Sequence, residues 1–266
     1  MIIDFHIHMG LPQPPGSQPP KGAPPPGPVP TPEIREKTPE GIRRVLTEMG
    51  ISHVVVQNFA PRAELCKPIN EYVKTLATEF DGFFYQYAAY HPDNPAEDLI
   101  PLMESGLFHG VKLHPYLQRF DITDPRLFPA YELLSGYGKP VLIHTGRDPF
   151  NDLTYGYSQK IAQIHRDFPD LPIIAAHLGG LQMYDEAEEY IIGKDMYIDV
   201  AVSVIFCDPD RYKRILLKHD PDKILFGSDC PMGNPQKELD FLKGLNLSSD
   251  LMDKILYQNA QRLLGF

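Results

Sequence analysis

Eight apolar runs of strand length punctuate the 266-residue chain, at 2–8, 51–57, 83–89, 109–114, 140–144, 172–177, 195–200 and 223–229. Helical patterns fall between them, at 38–49, 67–80, 95–106, 126–137, 156–168, 182–192 and 208–218, with a closing pair at 235–244 and 248–264. Alternation of this kind predicts a parallel sheet, because each parallel strand needs a crossover to return the chain to its starting edge. Eight repeats in a chain of about 250 residues close the sheet on itself. The expected fold is therefore an α/β (β/α)8 TIM barrel, formed as a single domain over 1–266. In such barrels, reactive side chains stand at the C-terminal ends of the strands.

Those ends carry the residue types that bind metals. The first run holds Asp4-Phe5-His6-Ile7-His8, the fourth, fifth and sixth end in His114, His144 and His177, and the eighth ends in Asp229. Residues two apart on an extended strand share a face, so His6 and His8 should present two imidazoles side by side while Ile3, Phe5 and Ile7 pack the opposite way. Neutral imidazole is the commonest protein ligand for zinc, and a catalytic site keeps about three protein ligands plus an open position for water. A further histidine and a carboxylate would complete such a site, and repetition of candidates at successive strand ends is hard to produce by chance.

Composition narrows the function classes. A net charge of −10 and the absence of a basic run argue against nucleic acid as a partner. No stretch of about 18 apolar residues could span a bilayer, so no membrane role is expected. Cys66, Cys207 and Cys230 lack CxxC spacing and read as free thiols of a reducing compartment. The first apolar run begins at Ile2, which leaves no secretory leader to expect, and a cytoplasmic location follows. Residues 11–32 hold eleven prolines between the first strand and the first helix. This Pro-rich loop leaves from the face that carries His6 and His8; it reads either as a surface loop or as a semi-rigid lid whose prolines lower the entropic cost of ordering.

With these residues collected, the chain resembles the amidohydrolase superfamily. The likeness is greatest to its amidohydrolase-2 group of metal-dependent hydrolases and the related aminocarboxymuconate-semialdehyde-type decarboxylases. It is carried by Asp4-Phe-His-Ile-His8, Gly110-Val-Lys-Leu-His-Pro115, Val141-Leu-Ile-His-Thr-Gly146, Ala176-His-Leu-Gly-Gly180, Leu225-Phe-Gly-Ser-Asp-Cys-Pro231 and Asn259-Ala-Gln-Arg-Leu-Leu-Gly265, which span nearly the whole chain in the family's order. The resemblance implies one divalent metal, zinc most often and manganese as the alternative, held by His6, His8, His144 and Asp229. Three imidazoles and a carboxylate suit such an ion, whereas magnesium and calcium prefer an oxygen shell. Water at the remaining position would be acidified, with Asp229 placed to take its proton.

His177 has two readings under the resemblance: ligand to a second metal in binuclear members, or acid/base group in mononuclear ones. Lys112 correspondingly either bridges two metals in carboxylated form or neutralises a substrate anion; the Gly-Val-Lys-Leu-His-Pro pattern favours one metal. His114 should face the same mouth, as a substrate contact or as a packed rim histidine. Arg119 and Arg147 sit in the loops after the fourth and fifth strands, where a guanidinium could grip a carboxylate. Asp199 could orient a ligand from behind. The expected function is hydrolysis of an ester, lactone or amide bond in a small, carboxylated molecule. The alternative is non-oxidative decarboxylation of an aromatic or muconate-type acid, and a non-catalytic barrel is disfavoured because every expected ligand is present. A homo-oligomer is compatible with the sequence.

Overall fold

In a computed structural model that describes residues 1–10, 34–148 and 153–266, eight strands form one parallel sheet in sequential order. They are β1 (Ile3–Ile7), β2 (His53–Val56), β3 (Phe84–Ala89), β4 (Phe108–Leu113), β5 (Val141–Ile143), β6 (Ile173–Ala175), β7 (Tyr197–Asp199) and β8 (Ile224–Leu225). The sheet closes between β1 and the segment leaving β8, where Phe5 N–H donates to Phe226 O at 2.8 Å and Asp229 N–H to His6 O at 2.7 Å. The expected TIM barrel is thus the fold. The proline-rich stretch at 11–32 lies outside the described residues.

Period-two alternation sorts the strand side chains into two layers. Val54, Val56, Val141, Ile143, Ile173 and Ile198 pack with helix residues such as Ile42, Leu46, Val73, Tyr212 and Ile215, and so form the layer between strands and helices. Val55, Tyr87, Leu142, Ile174 and Leu225 form a separate cluster that fills the barrel interior. Several helix starts follow the chain's own chemistry: Thr38, Asp208, Asn234 and Ser248 each accept a backbone N–H with the side chain, and proline follows directly after the first three.

Strand β1 departs from simple alternation. Asp4 pairs with Val54 and Ile7 with Val56, so three steps on β1 oppose two on β2, which is a bulge. Ile3 and Phe5 consequently belong to the interior cluster and Ile7 alone to the outer layer, which corrects the expectation that all three share a face. The extra residue leaves amides to satisfy. The buried Asp4 carboxylate meets this need by accepting from His6 N–H at 3.2 Å and from Ser228 N–H at 3.0 Å across the β1–β8 seam, while the Ser228 hydroxyl binds its other oxygen.

Two further differences from the sequence reading have physical causes. The last helix is not continuous from 248 to 264 but is interrupted by a π-turn at Lys254–Gln258. A π-turn frees a carbonyl, and here Ile255 O accepts the Phe226 N–H that no strand neighbour takes. Strand β8 is accordingly only two residues long, its next amides being spent on the π-turn and on Asp4. A short helix at Pro115–Gln118 directly after β4 interrupts the loop that the sequence pattern predicts there.

Candidate metal centre

At the C-terminal mouth, β1 and β8 bring three donor atoms together. His8 Nε2 lies 3.0 Å and His6 Nε2 3.5 Å from the same Asp229 oxygen, Oδ1. These three side chains form a group whose ligand atoms all lie within 4.8 Å of one another. Asp229 adopts a left-handed backbone with φ 61°, a conformation uncommon outside glycine though more accessible to aspartate than to most side chains. The conformation is held by its neighbours: Asp229 N–H donates to His6 O, and Asp229 O accepts from Met232 and Gly233 N–H.

Behind this group Asp199, fully buried at the end of β7, acts as a hub. Its Oδ2 lies 2.8 Å from His6 Nδ1, and its Oδ1 accepts from His177 N–H at 2.8 Å and Ala201 N–H at 3.1 Å. A carboxylate at Nδ1 places the imidazole proton there and leaves the lone pair on Nε2, the atom that faces Asp229. Burial pushes the His6 imidazole down to about 4, with the Lys112 charge adding to the effect and Asp199 opposing it, so the ring is neutral as a ligand must be. For Asp229, burial works toward the neutral acid, but the hydrogen bond and charge of His8, with His6 and His177, hold the carboxyl well below its ordinary range.

The β4, β5 and β6 ends supply a second arc. Lys112 is fully buried, and its Nζ lies 3.1 Å from His6 Nε2. Desolvation lowers its ammonium to about 8 against the pull of Asp229 and Asp199. His144 stacks on His114 with ring centroids 4.2 Å apart, and its Nδ1 lies 3.0 Å from His177 Nε2. His177 Nδ1 in turn lies 3.0 Å from Ala201 O, an acceptor only, so that nitrogen bears the proton. His177 Nε2 is then an acceptor, His144 Nδ1 carries the shared proton, and His144 Nε2 is left with a lone pair. That Nε2 is buried and has no hydrogen-bond partner, which is the condition of a nitrogen that fits a metal. Burial, followed by their cationic neighbours, pushes both His114 and His144 well below the usual imidazole range.

His114 also begins the short helix, accepting Leu117 N–H at Nδ1 while its own N–H donates to Gln118 Oε1 at 2.7 Å. Gln118 Nε2 then donates to Ala60 O and Tyr90 O, which ties this rim to the loops after β2 and β3. Phe59 packs between His8 and His114, with ring centroids at 6.0 and 4.8 Å. Asp4, Phe59 and Gln118 contribute without a strand-end signal of their own, although Asp4 stands two residues before His6 and Gln118 four after His114. Arg119 and Arg147 are exposed and make no ion pair among the described residues, so neither joins the buried cluster. His219 is a structural histidine, bonded to Met196 O and Gly193 N–H.

The fold and this cluster define a class, the TIM barrel with a histidine–carboxylate centre at its C-terminal mouth. The sequence model of the amidohydrolase family, amidohydrolase-2 type, matches residues 3–266, and the chain belongs to that family. Enzymes of this family use a divalent metal and include hydrolases and decarboxylases. A dihydroorotase from Cupriavidus pinatubonensis is 27% identical over 139 residues, 47% of this chain and 40% of its own; the matched region thus spans well under half of that curated relative. Among solved structures, an uncharacterised TIM-barrel protein from Bordetella bronchiseptica superposes with a TM-score of 0.74 at 22% identity, covering 99% of this chain and 98% of the other. The 2,6-dihydroxybenzoate decarboxylase from Rhizobium gives 0.71 at 15%, covering 99% and 98%. A dihydroxybenzoic acid decarboxylase from a Polaromonas species, with bound manganese, gives 0.69 at 18%, covering 86% of each chain. None of the described helices is long and apolar enough to cross a membrane.

Proposed function

We propose that the protein is a metal-dependent hydrolase that cleaves an ester, lactone or amide bond of a small carboxylated molecule. The observation that carries this reading is the shared Asp229 oxygen, within 3.0 and 3.5 Å of His8 and His6 Nε2 on a side chain 18% exposed to the mouth. His6, His8, His144 and Asp229 would hold one divalent ion, zinc in the first instance and manganese as the alternative. When bound, such an ion polarises a carbonyl and brings the pKa of water toward neutrality. Asp229 takes the proton that the attacking water loses. His177, anchored through its Nδ1 proton to Ala201 O, is the second proton-handling group; its Nε2 accepts from His144 Nδ1 and must release that bond to exchange a proton with a substrate. Lys112 and His114 set the polarity of the inner wall on which a substrate anion rests. Arg119 and Arg147, exposed at the loops above, meet a more distant carboxylate. Three buried free thiols suit a reducing, cytoplasmic setting.

A specific observation favours a second reading, carboxy-lyase action on an aromatic or muconate-type acid. Lys112 puts an ammonium at the depth of His6, where it would hold a carboxylate against the ion rather than at the rim. The test is a panel of lactones, esters and amides beside aromatic and muconate-type acids, run on zinc- and manganese-loaded protein. Acid release without carbon dioxide supports hydrolysis, carbon dioxide release supports the lyase, and metal-independent turnover contradicts both.

A further inference from the structure

The group on which His177 depends lies one layer away from the mouth. Its Nδ1 proton goes to Ala201 O, in the turn after β7. That turn is strained, because Val202, a β-branched residue, sits at φ 54°. Conformations of this kind persist only where the surroundings over-determine them. Several bonds do so here: Ala201 N–H to Asp199, Ser203 N–H to Val200 O and the Ser203 hydroxyl to Ala201 O at 3.2 Å. The amide of Val204 finds its partner outside the turn, at Oε1 of Glu238, 3.3 Å away.

Glu238 is fully buried on the helix Pro235–Gly244, on the face that also buries Leu239 and Leu242. Its Oε2 lies 3.3 Å from the hydroxyl of Tyr212, itself buried on the neighbouring helix Pro209–Lys218. No cation pairs with Glu238 among the described residues. We infer that Glu238 is a positioning residue: by accepting the Val204 amide it locks the turn that carries Ala201 O, and so fixes which ring nitrogen of His177 is protonated. This rests on the role given to His177 above. Burial, with Asp4 and Asp199 nearby, pushes the Glu238 carboxyl well above its ordinary range, in keeping with a neutral acid acting through hydrogen bonds.

Three substitutions at Glu238 differ in what they leave for Val204 and Tyr212. Glu238→Gln keeps an acceptor for Val204 and a polar group toward Tyr212, Glu238→Leu fills the space with neither, and Glu238→Asp withdraws the acceptor by one methylene. The readout is the imidazole N–H signal of His177 in full-length protein carrying 15N-histidine, recorded with and without zinc and without substrate, so that it does not depend on the reaction being assigned correctly. We expect Glu238→Gln to preserve a protected Nδ1 proton. Glu238→Leu and Glu238→Asp should exchange it faster by on the order of tenfold, the factor for losing one ordinary hydrogen bond, or move it to Nε2. An unchanged Nδ1 signal in folded Glu238→Leu or Glu238→Asp overturns the inference, as does a Gln variant as impaired as Leu. If both disruptive variants fail to fold, the unmodified protein decides: the Val204 amide must be protected from exchange like the strand amides, and an unprotected amide refutes the brace.

Discussion

The mouth of the barrel has two unlike halves. From β7 through β8 to β1 it is built from carboxylates: Asp199 behind His6, Asp229 between His6 and His8, and Asp4 beneath the bulge. From β4 through β6 the strand ends carry a buried ammonium and three imidazoles, Lys112, His114, His144 and His177, and the buried carboxylate of that arc, Asp148, stands in the loop after β5 rather than at a strand end. A cation is stabilised by the first half and an anion by the second. Under the proposed function, metal holding would fall chiefly to the seam and substrate reception to the arc, with His144, whose buried Nε2 has no hydrogen-bond partner, as the arc's contribution to the metal.

The strongest way to break this division is at Asp229. Asp229→Asn should lower kcat by about 10²–10⁴-fold, the range for losing a general base, while zinc content measured by atomic absorption stays above half an equivalent, because three imidazoles remain. Equal loss of zinc and activity would make Asp229 a ligand only.

Asp4 tests the seam through stability. Burial raises its carboxyl from 3.8 to about 7, against the bonds from Ser228 and His6 that favour ionisation. Below pH 4 both folded and unfolded chains keep the proton; between 4 and 7 the unfolded chain gives it up first, so the native state loses stability as pH rises through that window. Asp4→Asn keeps an acceptor for both amides and should remove this decline. The difference in unfolding free energy between variant and parent should grow across the window by on the order of 4 kcal/mol, measured by urea titration at each pH. A constant difference would show that Asp4 is ionised throughout.

Asp199→Asn should weaken zinc binding by about 10–100-fold, the usual effect of losing a ligand's orienting carboxylate, as read by chelator competition. Lys112→Met sharpens the comparison from the other side: KM for an anionic substrate should rise by about tenfold, as for a lost charged hydrogen bond, with zinc affinity no lower than in the parent. A fall in zinc affinity would move Lys112 to the metal half. The smallest effects belong to Arg119→Ala and Arg147→Ala, exposed groups expected to change KM by less than about fivefold and to lose even that in high salt; an effect that survives 1 M salt would place them in the buried site.

Much of this was readable from the chain, because strand alternation and strand-end chemistry are local. The eight runs mark the eight strands to within a few residues, and His6, His8, His114, His144, His177 and Asp229 fall at the ends that meet. What escaped depends on partners distant in sequence. The β1 bulge is visible only once Asp4 is seen to serve amides on both β1 and β8. The break in the last helix exists because Phe226, nearly thirty residues earlier, needs the carbonyl of Ile255. Glu238 sits in an amphipathic helix where a glutamate reads as a solvated charge, and only the tertiary fold shows it buried against Tyr212 and Val204. Arg119 and Arg147 occupy the foreseen loops, but exposed positions in loops are not settled by strand pattern.

The most direct test of the division is anomalous diffraction at the zinc edge from crystals of zinc-loaded protein. The account predicts one strong peak within about 2.0–2.2 Å of His6 Nε2, His8 Nε2, His144 Nε2 and an Asp229 oxygen. A peak elsewhere, or one that leaves His144 Nε2 unliganded while zinc is bound, would contradict it.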